Sequence, residues 1–351
     1  MESDDIDVIN DELENRTLKV FYDLQEYPTT FDCLQFFASA NIVRQFYSLK
    51  YMQINIVLGS GRQFRRLSRK DATLSYADKF WRLHKIVESS ARLVKNCAGV
   101  NVFHNRNDAE RFWQTIQAPR LFPPDYTVQK PNYSFILTLS TLKARSVFME
   151  NRNGKEPDMG VFEPSEAALA AFDDWKAFKK IDKPIVSMTL RTSRHEQERN
   201  ANILQWRDFA NYARERGFVP VGIPDTEVAL SIDVGDLPKD LYWYPMAALD
   251  PDLRAALYRR SFISMSTGGG PAHLLPYMND TNYMIFMHPN RFFASVQNEE
   301  QWKGTMGIDW LGQFPWSTPT QQFVWKEDTF ENIRNSFEDM LKLFPAENRP
   351  A

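Results

Sequence analysis

The chain has 351 residues, of which 43% are apolar and 14% aromatic, and it carries 42 Lys and Arg against 45 Asp and Glu. This length predicts about two domains with cores of their own, and the composition excludes long disordered segments. A net charge of −3 supplies no bulk electrostatic attraction to nucleic acid or to an anionic membrane, so neither partner is expected. The only cysteines, Cys33 and Cys97, make no disulfide framework and no thiol cluster for zinc, which favours a reduced, cytoplasmic setting.

The first residues are polar and acidic, and we expect residues 1–16 to be a flexible lead-in. They lack the basic start of a secretion signal, and no apolar run approaches the roughly 18 residues that a membrane-spanning helix needs. We therefore expect neither a signal peptide nor a transmembrane segment.

Strand and helix patterns alternate from Leu18 to about residue 117. Apolar runs predict strands at 18–22, 53–58 and 100–103, and amphipathic patterns predict helices at 30–49, 76–95 and from 107 onward. Thr30 is the predicted N-cap of the first helix. This alternation is typical of a parallel sheet with right-handed crossovers, and we expect it to form an N-terminal domain of residues 17–150.

A linker-like stretch and a helix beginning near Pro164 follow, so residues 151–183 are the predicted connection. The alternation then restarts, with predicted strands at 185–190, 218–223, 241–244, 262–266 and 283–287. We expect a second α/β domain of residues 184–295, then an aromatic loop and a terminal helix in residues 296–351.

A glycine turn follows the predicted strand at 262–266 and contains Gly268, Gly269 and Gly270. Pro271 then occupies the first position of a predicted helix, which includes His273. A strand, a glycine turn and a helix start present backbone N–H groups to a phosphate at the carboxyl edge of a sheet, which favours a nucleotide diphosphate. The alternative is a tight turn whose glycines serve only a positive φ or close packing.

Arginines follow the first strand of the second domain, at Arg191, Arg194 and Arg199. Guanidinium groups at this edge of a sheet form bidentate bonds to phosphate oxygens and neutralise a leaving diphosphate. The alternative is a solvated loop in which these arginines pair with Glu196 and Glu198.

Acidic residues follow the next strand, where Asp225 or Glu227 is placed to accept hydrogen bonds from a ribose or a base. A turn or capping role is the alternative for both. A basic cluster follows the second strand of the first domain and suits an anionic substrate or a solvated face; it comprises Arg62, Arg65, Arg66, Arg69 and Lys70.

Asp23 and Glu26 follow the first strand of the chain, so they are the first-domain candidates for acid–base catalysis. The alternative for each is a cap or a salt-bridge partner. The five histidines have no metal-ligand spacing such as HExxH, and no Asp-x-Asp pair is present. We therefore predict no obligatory metal and no other obligatory cofactor.

Taken together, these motifs resemble the GT-B glycosyltransferases. The residues that carry the resemblance are Thr189-Leu190-Arg191 through Arg199-Asn200, Pro224–Glu227, Leu253–Tyr258 and Gly268–Pro271, and the match extends over about residues 184–290. An arginine after this strand is similar to fucosyltransferase-like members, although Thr189 stands where typical fucosyltransferases have a histidine.

The resemblance implies two Rossmann-like domains facing a cleft, with a terminal helix able to cross back to the first domain. It implies that Arg191 binds and stabilises a diphosphate, that Gly268–Gly270 provide backbone donors, and that Asp225 or Glu227 contacts the ribose or base. We therefore expect a metal-independent glycosyltransferase with a nucleotide-diphosphate sugar in the second domain and a carbohydrate or other hydroxyl acceptor in the first.

Two other functions remain open for such a fold. One is a nucleotide-sugar epimerase or hydrolase. The other is a noncatalytic binding or scaffold protein, with Trp302, Trp310, Trp316 and Trp325 as a partner surface. The donor base and sugar, the acceptor and the oligomeric state are left open.

Overall fold

The computed structural model describes residues 15–60, 64–65, 74–116, 120–131, 141–193, 197–226, 229, 241–288 and 298–345. The chain divides into two compact units, Met1–Val161 and Phe162–Ala351. The division falls inside the predicted connection. The α/β class with parallel sheets in two Rossmann-like units confirms the predicted fold class.

The first unit contains a four-stranded parallel sheet in the order β3-β2-β1-β4. Its strands are β1 (Thr17–Asp23), β2 (Tyr51–Val57), β3 (Cys97–Phe103) and β4 (Leu121–Phe122). Its helices are α1 (Asp32–Phe46), α2 (Tyr76–Arg82), α3 (Ser89–Arg92), α4 (Arg106–Gln114) and α5 (Thr141–Asn151). A π-helical segment, Leu83–Glu88, joins α2 to α3.

The start of α1 differs from the prediction that Thr30 caps it. Phe31 is the N-cap residue and makes no capping bond with its side chain. The hydroxyl of Thr30 instead donates to the Asp32 carboxylate over 2.8 Å. Thr30 therefore lies one position before the N-cap, and its hydroxyl bonds to the acid in the first turn of the helix.

The second unit contains a six-stranded parallel sheet in the order β10-β9-β8-β5-β6-β7. Its strands are β5 (Ile185–Thr189), β6 (Val219–Ile223), β7 (Tyr242–Trp243), β8 (Ile263–Thr267), β9 (Tyr283–Phe286) and β10 (Gln321–Val324). Its helices are α6 (Glu166–Phe178), α7 (Ile203–Glu215), α8 (Met246–Leu249), α9 (Pro251–Arg260), α10 (Glu299–Met306) and α11 (Phe330–Leu341). Two 3-10 segments, Gln197–Arg199 and Gly270–Tyr277, complete the described part of this unit.

The terminal helix α11 packs inside the second unit. Its apolar residues Ile333 and Phe337 are fully buried in the core between α7 and the sheet. The rings of Phe337 and Phe209 meet at 5.2 Å in an edge-to-face arrangement. The apolar face of this helix is therefore used in the core of the second unit.

The tryptophans after residue 300 pack mainly against one another. Trp302 is fully buried, and the rings of Trp302, Trp310 and Trp325 lie 4.9 to 5.3 Å apart. Trp316 stacks on Phe314 with ring centroids 4.5 Å apart. These rings therefore build a local core around β10, so the aromatic content of this region does not itself indicate a partner surface. Within the described residues, no helix has the length and apolarity needed to cross a membrane.

Candidate functional site

The topology of the second sheet creates one point where ligands bind in open α/β folds. From β5 the chain moves outward through β6 and β7 on one side, and later through β8, β9 and β10 on the other. The loops that leave the carboxyl ends of β5 and β8 therefore diverge, which opens a crevice at that edge. Arg191 lies two residues beyond β5, and Gly268 follows β8 directly.

The predicted arginines and glycines come together at this crevice. A methyl group placed on Gly269 would lie 3.7 Å from Cδ of Arg191, so the arginine side chain lies along the glycine segment. The guanidinium of Arg199 donates to the carbonyl oxygen of Gly268 over 3.4 Å. Motifs that are separated by about seventy residues in the chain thus form one cationic, glycine-lined edge.

A hydrogen-bonded loop holds Arg191 in place. Its guanidinium donates to Oδ1 of Asn200, and the Asn200 amide donates to the carbonyl of Ser193 over 2.9 Å. The backbone N–H of Ala201 donates to the carbonyl of Arg191 over 2.9 Å and closes the loop. Asn200 ends the arginine segment that carries the resemblance, but its hydrogen bonds with Arg191 and Ser193 were not predicted from the sequence.

The glycine segment differs from the prediction in its helix type. Gly269 is the N-cap of a 3-10 segment, where an α-helix was predicted. Pro276 lies inside the segment and lacks the N–H that an α-helical ladder would need there, which accounts for the tighter and shorter turn. The N–H of Gly268 donates to the carbonyl of Phe286 over 2.9 Å, so it is not available to a phosphate.

None of these glycines adopts a left-handed conformation; among the described residues, the glycines with positive φ are Gly154, Gly217 and Gly307. Close packing explains why one of these positions is a glycine. A Cβ on Gly268 would lie 2.5 Å from Sδ of Met287, so this position requires close packing. Gly269 is extended, with φ −165°, and its missing side chain leaves the edge beside Arg191 open.

The other predicted ligand residues are placed as follows. The N–H of Thr192 donates to Oδ2 of Asp225 over 3.4 Å, which brings the end of β6 to the crevice. His273 lies half-buried in the 3-10 segment. Arg194 and Glu227 lie outside the described residues.

A pocket extends the crevice along the carboxyl ends of β8, β9 and β10. Besides Arg199 and Gly268, the residues that line it are Asn200, Thr267, Phe286, Met287, His288, Trp310, Lys326 and Asp328. The hydroxyl of Thr267 is buried and has no hydrogen-bond partner in the structure. From the sequence, Trp310 was considered only as part of a partner surface. Lys326 was missed because β10 was not predicted: two glutamines at its start conceal the strand pattern.

In the first unit, Asp23 is engaged in a buried ion pair. Its two carboxylate oxygens each accept a 3.0 Å bond from the Arg106 guanidinium, and Oδ2 also accepts from the Tyr126 hydroxyl at 2.8 Å. The N–H of Gln25 donates to Oδ1 over 2.9 Å. Burial and the negative charge of Asp23 raise the pKa of Tyr126, which stays a hydrogen donor. Asp23 is fully buried, so these contacts favour the salt-bridge role over acid–base chemistry.

Glu26 has a different environment three residues later. Burial and the nearby charge of Asp23 raise the pKa of Glu26, while Arg106 and Arg65 act in the opposite direction. Its side chain is half-buried. Arg65 belongs to the predicted basic cluster, of which Arg62, Arg66, Arg69 and Lys70 lie outside the described residues. A carboxyl with a raised pKa at the edge of a sheet is suited to accept a proton.

Aromatic and imidazole rings gather near this edge of the first sheet. The ring of Phe80 lies 6.3 Å from that of His84 and 6.4 Å from that of His104, which follows β3. On the same helix, Tyr76 and Trp81 are 51% and 36% exposed. Exposed aromatic faces beside polar rings are suited to binding the apolar face of a sugar.

Comparison with known proteins gives a likeness of fold. No model of a known protein family matches the chain, and no curated protein does. The crystal structure of a glycosyl transferase family 9 protein from Veillonella parvula covers 95% of this chain and 99% of its own, with 11% identity and a TM-score of 0.54. The ADP-heptose lipopolysaccharide heptosyltransferase II of E. coli covers 93% of this chain and 99% of its own, with 7% identity and a TM-score of 0.50. The chain therefore has the fold of these transferases over nearly its whole length.

Proposed function

We propose that the protein is a glycosyltransferase that moves a sugar from a nucleotide-diphosphate donor to a hydroxyl acceptor. The observation that carries this proposal is the meeting of Arg191 with Gly269, and of Arg199 with Gly268, at the crevice between β5 and β8. A guanidinium beside backbone N–H groups at this edge is the arrangement expected for a diphosphate. The fold shared with glycosyltransferases supports the same assignment.

The reaction breaks the bond between the anomeric carbon and the diphosphate oxygen. The electron pair leaves with the diphosphate, where Arg191 and the N–H groups of Gly269 and Gly270 stabilise the developing charge. A bond then forms between the anomeric carbon and the acceptor oxygen. In an inverting reaction the acceptor proton passes to a base, and Glu26 is the candidate with the more suitable environment.

Thermal unfolding tests the donor site directly. We expect one of GDP, UDP, ADP or CMP, or a sugar conjugate of it, to raise the unfolding temperature selectively. Ligand at about 100 times its dissociation constant contributes roughly 2.7 kcal/mol, which is readily measured. The metal-independent reaction remains a prediction, and it requires that EDTA leave the shift unchanged. No shift with any nucleotide would favour a noncatalytic scaffold.

The donor assay also separates transfer from the other enzymatic alternative. An epimerase or a hydrolase would consume the nucleotide sugar without an acceptor. A transferase releases nucleoside diphosphate at a rate that depends on an added acceptor. The donor sugar, including a fucosyltransferase-like preference, is decided by which conjugate gives acceptor-dependent release.

Glu26 predicts a pH dependence for this reaction. A base must be deprotonated, so the rate falls as pH falls through the pKa of Glu26, and the raised pKa places this limb above the usual glutamate range. Glu26→Gln should lower kcat by about 100-fold or more and remove the limb. A variant that retains the wild-type profile would exclude Glu26 as the base.

A further inference from the structure

Arg254 is a buried arginine on α9 whose guanidinium, within the part of the chain that the structure describes, donates hydrogen bonds only to hydroxyl groups. Its side chain is almost fully buried, with 2% exposure for the residue. Nη1 donates to the Tyr258 hydroxyl over 3.2 Å and to the Thr189 hydroxyl over 3.5 Å, and these two hydroxyls lie 2.8 Å apart. Among the described residues, no carboxylate lies within ion-pair distance of this guanidinium, and its Nε has no hydrogen-bond partner.

The position on the helix adds to the cost of this charge. Arg254 is the fourth residue of α9, so the positive end of the helix dipole is close to it. The two carboxylates of the same turn are used elsewhere. Asp250 accepts from the N–H of Asp252 at 2.8 Å, and Asp252 accepts from the N–H and hydroxyl of Ser165 at 2.8 and 2.6 Å. A buried charge without a counter-charge is destabilising, and evolution of a stable fold alone would favour an apolar side chain here.

The hydroxyls that Arg254 contacts lead to the crevice. Thr189 is the last residue of β5 and precedes Arg191 by two positions. Its partner in the sheet register is Ser266 of β8, which precedes Gly268 by two positions. Ser266 is fully buried, and its hydroxyl has no hydrogen-bond partner in the structure. Arg254, which has no counter-charge among the described residues, therefore contacts the end of β5. The unpartnered hydroxyl of Ser266 lies near the end of β8, and the two loops of the candidate donor site leave from these two strand ends.

We propose that Arg254 is a positioning residue whose buried positive charge is balanced by the diphosphate of a bound donor. This inference rests on the proposed function. The guanidinium acts through Thr189 and Tyr258: it orients their hydroxyls at the end of β5 and adds a positive potential in a region with little water, where charges interact strongly. In the free protein the buried positive charge of Arg254 lowers the stability. The negative charge of the bound diphosphate compensates this positive charge.

Calorimetric titration with inorganic pyrophosphate, and with ADP, GDP and UDP, tests the proposal without knowledge of the base. Arg254→Met should weaken the binding of pyrophosphate, and of whichever nucleoside diphosphate binds, by about tenfold or more, while Arg254→Lys should retain most of the affinity. Arg259→Met is the matched control. It removes a charge from the same helix, but Arg259 is exposed and pairs with Asp280, so affinity should be unchanged.

Unfolding without ligand gives the second readout. If the positive charge of Arg254 serves ligand binding and does not stabilise the free protein, Arg254→Met has an unfolding temperature equal to or above that of the wild type. Affinity within twofold of the wild type, equal losses for Met and Lys, or a Met variant that does not fold would each overturn the proposal. Failure of the wild type to bind any nucleoside diphosphate would instead contradict the proposed function.

Discussion

At the scale of single residues, two carboxylates that are close in the sequence differ in burial and in hydrogen bonding. Asp23 is fully buried between Arg106 and Tyr126, whereas Glu26 is half-buried and has a raised pKa. Both were candidates for acid–base chemistry from the sequence, since both follow the strand predicted at 18–22. Nothing in the local sequence reveals that Arg106, 83 residues away, pairs with one of them.

The Asp23 ion pair predicts a large loss of stability on substitution. Asp23→Asn leaves the Arg106 guanidinium without its counter-charge in a mostly buried place, so we expect a loss of about 3 kcal/mol in the free energy of unfolding. Denaturant unfolding measures it. Asp108→Asn is the control, because the pair of Asp108 with Arg111 is exposed and is expected to contribute less than about 0.5 kcal/mol. Equal effects of the two substitutions would contradict the structural role of Asp23.

Alanine substitutions of Gly268 and Gly269 are expected to have opposite effects: one lowers stability, and the other weakens nucleotide binding. Gly268→Ala places a methyl group 2.5 Å from the Met287 sulfur, which must move, so stability should fall by about 1 kcal/mol. Gly269→Ala meets its nearest atom at 3.7 Å and should fold as well as the wild type. Its methyl group would occupy the edge beside Arg191, so nucleoside diphosphate binding should weaken. Thermal unfolding with and without nucleotide separates the effects, and unaltered binding by Gly269→Ala would place the phosphate elsewhere.

At the scale of elements, the terminal helix is held to α7 by an ion pair as well as by its core residues. Glu338 of α11 accepts from the Tyr212 hydroxyl at 2.7 Å and from Nε of Arg216 at 2.9 Å. Burial alone would raise the pKa of Glu338, but the hydrogen bonds from Arg216 and Tyr212 outweigh it, and the pKa is lowered.

The lowered pKa gives a pH-dependent contribution to stability. A carboxyl with a depressed pKa in the folded state stabilises the protein above its unfolded pKa, and this is lost as pH falls through the folded value. Because both side chains are about a third exposed, we expect Glu338→Gln to cost only about 0.5 kcal/mol near pH 7. The difference from wild type in urea unfolding should shrink as pH falls below the usual glutamate range, and it should vanish once the folded-state carboxyl is protonated. A difference that persists in acid would mean that packing, and not ionisation, accounts for it.

At the scale of the whole molecule, the sequence predicts what depends on short-range pattern. The buried strands β1, β5 and β8 and the glycine and arginine loops that follow them were predictable, because parallel strands end at one edge. The strands β4 and β10 and the helices α5 and α10 were not predicted. Two of these are strands of two and four residues, too short for an alternating pattern to stand out.

The sequence also did not predict the contacts between individual side chains. The hydrogen bonds of Arg106 with Asp23 and of Arg254 with Thr189 depend on which elements become neighbours, and the hydrogen bond of Arg191 with Asn200 depends on the fold of the loop between them. The order of the strands in a sheet follows from the packing of the complete unit, and a single motif does not determine it. The candidate donor site was therefore predictable as a set of loops, but not as a set of paired side chains.

The most direct test of the donor site is a thermodynamic cycle on Arg191. Calorimetry would give dissociation constants for the preferred nucleoside diphosphate and its monophosphate, in the wild type, in Arg191→Met and in the exposed control Arg207→Met. If Arg191 binds the outer phosphate, the wild type and the control prefer the diphosphate by about tenfold or more, and Arg191→Met loses most of that preference. An equal preference in all three proteins would contradict a diphosphate site at the end of β5.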